Sequence, residues 1–141
     1  MQQNKGAEQR LQNKDSRIKA AETKSWEGRR MKVRELIQDG SLKLVNEGDN
    51  TEREISVPYC CDLLSVAMSR MPADSAWVTV MGNVNTLAVA ALADAACIIL
   101  AEGSHLDEAA QSKAKQQGIT VLEAELPIFE AAILVYQKLH A

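Results

Sequence analysis

Three short stretches of polar residues and glycines follow apolar runs of the sequence, and their residue types suit ligand binding. They lie at residues 82–86, at Glu102-Gly103 and at Glu123-Ala124-Glu125. If the apolar runs are parallel strands, these stretches meet at the carboxyl edge of one sheet, where ligands of open α/β sheets bind. The candidate ligand-binding residues are Gly82, Asn83, Asn85, Thr86, Glu102 and Gly103.

The chemistry that these residues favour is the binding of a small anion. Each stretch precedes a predicted helix, and free backbone N–H groups at a helix N-terminus attract an anion. Gly82 and Gly103 would let the ligand approach the backbone closely, while Glu102 could hold a cation or a ribose hydroxyl. The alternative interpretation is that the glycines and asparagines serve tight turns or cap a helix, and that Glu102 is solvated.

No arrangement of residues in the sequence indicates catalysis. His105 could be a base or a metal ligand, but no second histidine lies near it, and a surface position is the alternative. Cys60-Cys61 could have lowered thiol pKa values at a helix start, or be small core residues. The chain also lacks the GxxxxGK[ST] loop that cradles nucleotide phosphates. We therefore predict that the protein is not an enzyme and has no catalytic residue, metal site or cofactor.

The stretch from Ala76 to Gly103 contains the elements that would position these residues. Trp77–Met81 and Ala96–Leu100 are short apolar runs typical of buried strands, and Leu87–Ala93 between them favours a helix. Two apolar strands around one helix predict a βαβ unit with parallel strands that are covered on both faces.

The preceding part of the chain predicts further elements. Val33, Leu36 and Ile37 are spaced for a helix that ends at Asp39-Gly40. We predict a strand at Leu42–Val45 and a half-exposed strand through Ile55 and Val57. Residues 60–71 then have helical spacing, with Asp62 in the first turn, at the positive end of the helix dipole.

The following part continues the alternation of strands and helices. Ser104 and Asp107 resemble a capping box that starts a helix, and Gly118 would end it. Residues 119–122 are the next strand, residues 123–126 its exit loop, and Pro127 occupies the first position of the last helix. The fold class that we predict is α/β, a three-layer structure with a mainly parallel sheet and helices on both faces.

Charge is unevenly distributed along the chain. Of the 141 residues, the first thirty include eight basic and four acidic side chains, whereas residues 31–141 include eight basic and fifteen acidic ones. An acidic body argues against nucleic acid as the main partner. No apolar run is long enough to span a membrane, so we predict no membrane partner, and three cysteines without a disulfide or metal pattern favour a cytoplasmic location.

Residues 1–30 and 31–141 differ in composition. The first segment has Leu11, Ile18 and Trp26 as its only large apolar residues, so we predict a polar extension that is disordered or loosely helical. It could be a basic arm that contacts RNA or membrane, or a solvated tail. Residues 31–141 are predicted to form one α/β domain, a length that suffices for one core.

The order of elements in residues 31–141 resembles that of a known family. A strand followed by a loop at Gly82, an alanine-rich helix, a strand that closes on Gly103, a helix and the segment 118–122 follow one another. In this respect the chain resembles a stand-alone DRTGG domain, similar to the N-terminal domain of HPr kinase/phosphorylase and to the DRTGG domain of phosphotransacetylases. Where the family has Gly-Asp-Arg and Thr-Gly-Gly, this chain has Gly82-Asn83-Val84 and Ala101-Glu102-Gly103.

The resemblance implies a bacterial or archaeal protein with a fold like that of the HPr kinase N-terminal domain. It also implies a small regulatory or ligand-binding module without catalytic activity of its own. The alternatives are a sensor of a nucleotide or phosphate ligand, or an accessory fragment related to HPr serine kinase. Possible partners are a small anionic ligand or nucleotide and another protein.

The last helix predicts self-association. Ile133, Leu134 and Val135 are consecutive, so this helix is apolar over a wider arc than one packed face requires. We predict a homodimer.

Overall fold

The computed structural model describes residues 31–141, and the extension predicted for residues 1–30 lies outside them. The described chain is an α/β domain whose elements alternate from residue 58 onward. The strands are β1 (Met31–Lys32), β2 (Lys43–Asn46), β3 (Glu54–Ile55), β4 (Pro58–Cys60), β5 (Ala76–Thr79), β6 (Cys97–Leu100) and β7 (Val121–Glu123). The helices are α1 (Val33–Asp39), α2 (Leu64–Arg70), α3 (Val84–Leu92), α4 (Glu108–Gln117) and α5 (Ile128–His140).

The main sheet has five strands in the order β2-β7-β6-β5-β4. Strands β4 to β7 are parallel neighbours that follow one another in sequence, and β2 joins antiparallel to β7. A second, two-stranded ladder pairs β1 with β3 antiparallel. All residues of β5 and β6 are buried, as expected for parallel strands covered on both faces.

The helices form one layer on each face of the sheet, which confirms the predicted three-layer α/β class. One core lies between the sheet and α2, α3 and α4, around the fully buried Trp77. The other lies between the sheet and α1 and α5, around Val78 and Ile99. Each right-handed crossover from β4 to β7 leads to the next strand in the same direction across the sheet. The crossover helices α2, α3 and α4 therefore lie on one face, and α1 and α5 cover the opposite face.

Helix boundaries follow local capping chemistry. The side chain of Asn83 accepts a hydrogen bond from the N–H of Thr86 at the start of α3. Gly40 and Gly118 end α1 and α4 with φ angles of 76° and 63°, which favour glycine. The predicted ends of these two helices are therefore confirmed.

The prediction for residues 55–71 is partly wrong. Ile55 belongs to β3, which pairs with β1 outside the main sheet. Pro58–Cys60 form edge strand β4, whereas the sequence predicted a strand that ends at Pro58 and a helix over residues 60–71. Helix α2 begins at Leu64, so Asp62 lies in the loop before it. The late start of α2 follows from the pairing of β4 with β5. The spacing of apolar residues cannot reveal this pairing.

The predicted start of α4 is also wrong. Asp107, not Ser104, is the N-cap, and its side chain accepts a hydrogen bond of 2.8 Å from the N–H of Ala110. The N–H of Asp107 in turn donates to the carbonyl of Gly82, so a tertiary contact fixes the cap. Similarly, Glu123 is the last residue of β7 and not part of a loop, and Pro127 is the N-cap of α5 and not its first residue.

Within residues 31–141, no helix has the length and apolarity that crossing a membrane requires.

Candidate functional site

A cleft of about 490 Å³ opens at the carboxyl edge of the parallel strands. It is lined by residues 40–43, Gly103, His105 and residues 123–126, and we refer to it as the carboxyl-edge cleft. These segments are the loop between α1 and β2, the exit of β6 and the exit of β7. The connections before and after β7 leave on opposite faces of the sheet, through α4 and α5, and such a reversal is where open α/β sheets form a crevice.

A carboxylate and a histidine meet inside the cleft. Glu123 ends β7 and keeps only 9% of its surface exposed, and its Oε1 lies 3.0 Å from Nδ1 of His105. The His105 side chain is 67% exposed and reaches Glu123 from the loop between β6 and α4. A buried carboxylate is costly without a polar partner, and among the described residues His105 is the group with which the side chain of Glu123 pairs.

Glu125 closes one wall of the cleft against Gly103. A Cβ atom added to Gly103 would lie 2.9 Å from Oε2 of Glu125, and Gly103 has a φ of 71°. Glycine therefore serves both the backbone conformation and the approach of this carboxylate. The sequence suggested that an anionic ligand could approach Gly103. The carboxylate of Glu125 already occupies that side of the glycine.

The backbone N–H groups at the exit of β6 do not point at a ligand. The N–H of Glu102 donates to the carbonyl of Leu126, and that of Gly103 donates to the carbonyl of Ala124. The predicted anion site at this exit would require these groups to be free. They instead fasten the β6 exit to the β7 exit, and the Glu102 side chain is exposed outside the cleft.

Gly82 and Asn83, two of the residues predicted after β5, have structural roles. A Cβ on Gly82 would lie 2.1 Å from the carbonyl oxygen of His105, so the loop before α4 packs directly on this glycine. Asn83 caps α3, Thr86 is fully buried, and Asn85 is exposed. Of the six predicted residues, the structure brings Gly103 alone into the carboxyl-edge cleft.

Polar contacts fix the exits of β4 and β5. Asp62 accepts hydrogen bonds from Oγ1 of the buried Thr79, at 2.7 Å, and from the N–H of Val80, at 3.0 Å. Nε1 of Trp77 donates to the carbonyl of Cys61 at 2.9 Å. The role of Asp62 is thus to tie two loops together and not to stabilise the start of a helix.

The cysteines do not have the environment of reactive thiols. Cys60 is exposed at the end of β4, whereas Cys61 is half-buried and packs against the core around Trp77. Neither is at a helix start, and the core interpretation applies in part to Cys61 alone. Desolvation of the thiol, with added repulsion from Asp62 and Cys61, raises the pKa of Cys60. Complete burial raises the pKa of Cys97 to about 12. Thiolate chemistry at neutral pH is disfavoured at Cys60 and Cys97.

Across the described range, no group of three or more His, Cys, Asp or Glu side chains is placed to hold a metal ion. What the carboxyl-edge cleft offers is hydrogen bonding and charge: the Glu123–His105 pair, Glu125, and Lys43 at the start of β2. The sequence predicts a strand exit at residues 123–125, but it does not indicate Lys43 as a ligand-binding residue. A basic residue at the start of a short strand carries no signal of its own, because the pairing of β2 with β7 places it there.

A smaller cavity of about 260 Å³ lies at the opposite edge of the sheet, between the β2–β3 loop and the ends of α3 and α4. Arg53 occupies this region and pairs with Asp74 and with Asp94, the latter at 2.8 Å. Its Nη2 also donates to the carbonyl of Asp94. The N–H groups of Arg53 donate to other groups of the protein, so we interpret this region as structural.

Comparison with protein-family models finds no family that matches the chain, and a search of curated proteins finds no match either.

Proposed function

We propose that the protein is a small binding module that acts without chemistry of its own and holds a small molecule in the carboxyl-edge cleft. The observation that carries the proposal is the nearly buried Glu123, paired with His105 inside a cleft of about 490 Å³. This volume lies within the range of about 300–1,000 Å³ that is usual for small-molecule sites. The resemblance to DRTGG domains supports a regulatory, cytoplasmic role of this kind in a bacterial cell.

A screen of thermal stability tests the cleft as the binding site. Full-length protein is mixed with nucleotides, acyl phosphates, inorganic phosphate, amino acids and polyamines, and we expect at least one class to raise Tm. Ser41→Trp would fill the cleft from its exposed rim and abolish that shift. Ser112→Trp, on the exposed surface of α4, is the matched control and should keep it. A shift that survives in Ser41→Trp, or none with any compound, would contradict the proposal.

The alternative occupant is a phosphate or nucleotide, as for a sensor or an accessory fragment related to HPr serine kinase. The observation in its favour is that α5 begins beside Leu126 of the cleft and has no side-chain cap. Uncapped N–H groups and the helix dipole attract a phosphate. The same screen separates this alternative, because its nucleotide and phosphate arms would then give the shift. Both proposals include a partner protein that recognises whether the carboxyl-edge cleft holds its ligand.

We further propose that the protein forms a homodimer through α5. Phe129 and Tyr136 are 71% and 47% exposed, lie two turns apart on one side of the helix, and flank the half-buried Ile133. A second copy is the occupant that we propose because a neutral apolar stripe can pair with itself across a two-fold axis. The largest buried residues of this helix, Val135 and Leu139, already face the core.

Light scattering tests the dimer. At high micromolar concentration we expect a dimer mass for the wild type and a monomer mass for Phe129→Glu. Leu92→Glu, on the equally exposed Leu92 of α3 (75% exposed), should remain dimeric. A monomer mass for the wild type, or dissociation by both variants alike, would rule out α5 as a specific interface.

A further inference from the structure

The carboxyl-edge cleft contains charges of both signs that are not paired with each other. Lys43 on β2 and Glu123 on β7 are directly opposite in the antiparallel ladder, so their side chains project to the same face. Nevertheless, within residues 31–141 Glu123 pairs with His105, and Lys43 has no carboxylate within 4 Å. The cleft therefore offers an acceptor and a cation side by side.

The acidic side of the cleft lacks a full compensating charge. Glu123 is nine-tenths buried, and its partner His105 is largely exposed and is charged only when protonated. Burying a carboxylate is costly unless a cation and hydrogen bonds compensate it. Glu125, also in the wall of the cleft, adds a second negative charge. A ligand ammonium group would supply both the charge and the three N–H donors that this side lacks.

The basic side suits a carboxylate. Lys43 is exposed at the rim, and α5 begins just after Leu126 without a side-chain cap, with its positive end toward this edge of the sheet. In the same lining, the side chain of Leu126 is 38% exposed and provides apolar surface. The lining thus matches a molecule with an ammonium group, a carboxylate close to it and an apolar substituent.

We propose that the carboxyl-edge cleft binds a free α-amino acid as its zwitterion, with the ammonium group at Glu123, the carboxylate at Lys43 and an aliphatic side chain against Leu126. The proposal rests on the function proposed above and names its ligand class. It differs from the anionic ligand that the sequence favoured, because the N–H groups of Glu102 and Gly103 are already bonded within the protein.

Matched analogues test the two charged contacts separately. Isothermal titration of full-length protein with L-leucine, L-valine, L-isoleucine and L-alanine should show binding of at least one. For an amino acid that binds, the amine that lacks the carboxylate and the acid that lacks the amino group should each bind at least tenfold more weakly. For leucine, these analogues are 3-methylbutylamine and 4-methylpentanoate. Equal binding of the amine and the amino acid would overturn the role of Lys43, and equal binding of the acid would overturn that of Glu123.

Two variants complete the test. Lys43→Met should weaken the amino acid at least tenfold and leave the amine unchanged, whereas Glu123→Gln should weaken the amino acid and leave the acid unchanged. Lys115→Met, on the exposed surface of α4, is the control for loss of a lysine and should bind as the wild type does. Unchanged circular dichroism and Tm in the absence of ligand show that a variant is folded.

The outcome also separates this proposal from the one on which it rests. If nucleotides or phosphates raise Tm in a manner that Ser41→Trp abolishes, while no amino acid binds, the ligand class is wrong and the cleft remains the site. If amino acids bind equally well to the Ser41→Trp, Lys43→Met and Glu123→Gln variants, the location is wrong as well.

Discussion

Replacing Gly82 by alanine is expected to lower the free energy of unfolding by about 3 kcal/mol, near the upper end of what overpacking costs. The added Cβ would lie 2.1 Å from the carbonyl oxygen and 2.8 Å from the carbonyl carbon of His105. Both are backbone atoms, so no side-chain rotation can relieve the contact. The N–H of Asp107 also donates to the Gly82 carbonyl, and moving the loop would break the cap of α4.

Urea denaturation measures this loss, and Gly40→Ala is the control that isolates backbone conformation. Gly40 has a φ of 76°, but a Cβ there would meet no atom within 4 Å. Its cost is therefore the left-handed strain alone, about 1 kcal/mol. Equal losses for the two variants would mean that the contact between Gly82 and His105 is looser than the structure shows. Since His105 lies in the carboxyl-edge cleft, Gly82→Ala should also weaken any ligand found there.

Replacing Arg53 by methionine is expected to cost about 2 kcal/mol, between the values for exposed and for buried ion pairs. The arginine side chain is 19% exposed and pairs with Asp74 and Asp94, and its Nη1 also donates to the carbonyl of Ala95. Asp74 and Asp94 have φ angles of 65° and 62°, which are unfavourable for residues other than glycine. One guanidinium thus holds two strained turns, before β5 and before β6.

The pKa of Arg53 shows the balance in this cluster. Burial opposes the charge, but hydrogen bonds to the carboxylates of Asp74 and Asp94 outweigh it and raise the pKa above its usual value. Chemical denaturation of Arg53→Met should show the loss, with Arg34→Met as the matched control. Arg34 pairs with Glu52 at 3.2 Å, and both side chains are largely exposed, so its removal should cost less than about 0.5 kcal/mol. A loss as small for Arg53→Met would contradict the proposed role of the cluster.

The parts of the fold that depend on local patterns were predictable. Short apolar runs predicted β5 and β6. The glycines at 40 and 118 predicted two helix ends, because residue type encodes a left-handed backbone conformation. Ser104 and Asp107 illustrate the limit. Both suit an N-cap, and the choice depends on the hydrogen bond between Asp107 and Gly82, which joins residues of different loops.

Of the candidate site, the sequence could indicate the edge of the sheet but not the residues that line the cleft. Parallel strands bring their exits together, so the carboxyl edge could be anticipated from the βαβ pattern. The charges that line the cleft could not, because Lys43 lies opposite Glu123 only through the pairing of β2 with β7. Nor could the sequence reveal that the N–H groups of Glu102 and Gly103 donate to carbonyls of the segment after β7.

The sheet order has a consequence for the way in which the domain assembles. Strands β4 to β7 are neighbours both in sequence and in space, so their contacts close short loops, whereas β2 joins the sheet by pairing position 43 with position 123. Pairings between distant positions form late, because a long loop must be closed before they contribute. We therefore expect the wall of the cleft that carries Lys43 to form after the parallel strands have paired. A bound ligand that contacts both β2 and β7 would stabilise their pairing, so ligand binding would raise the local stability of β2.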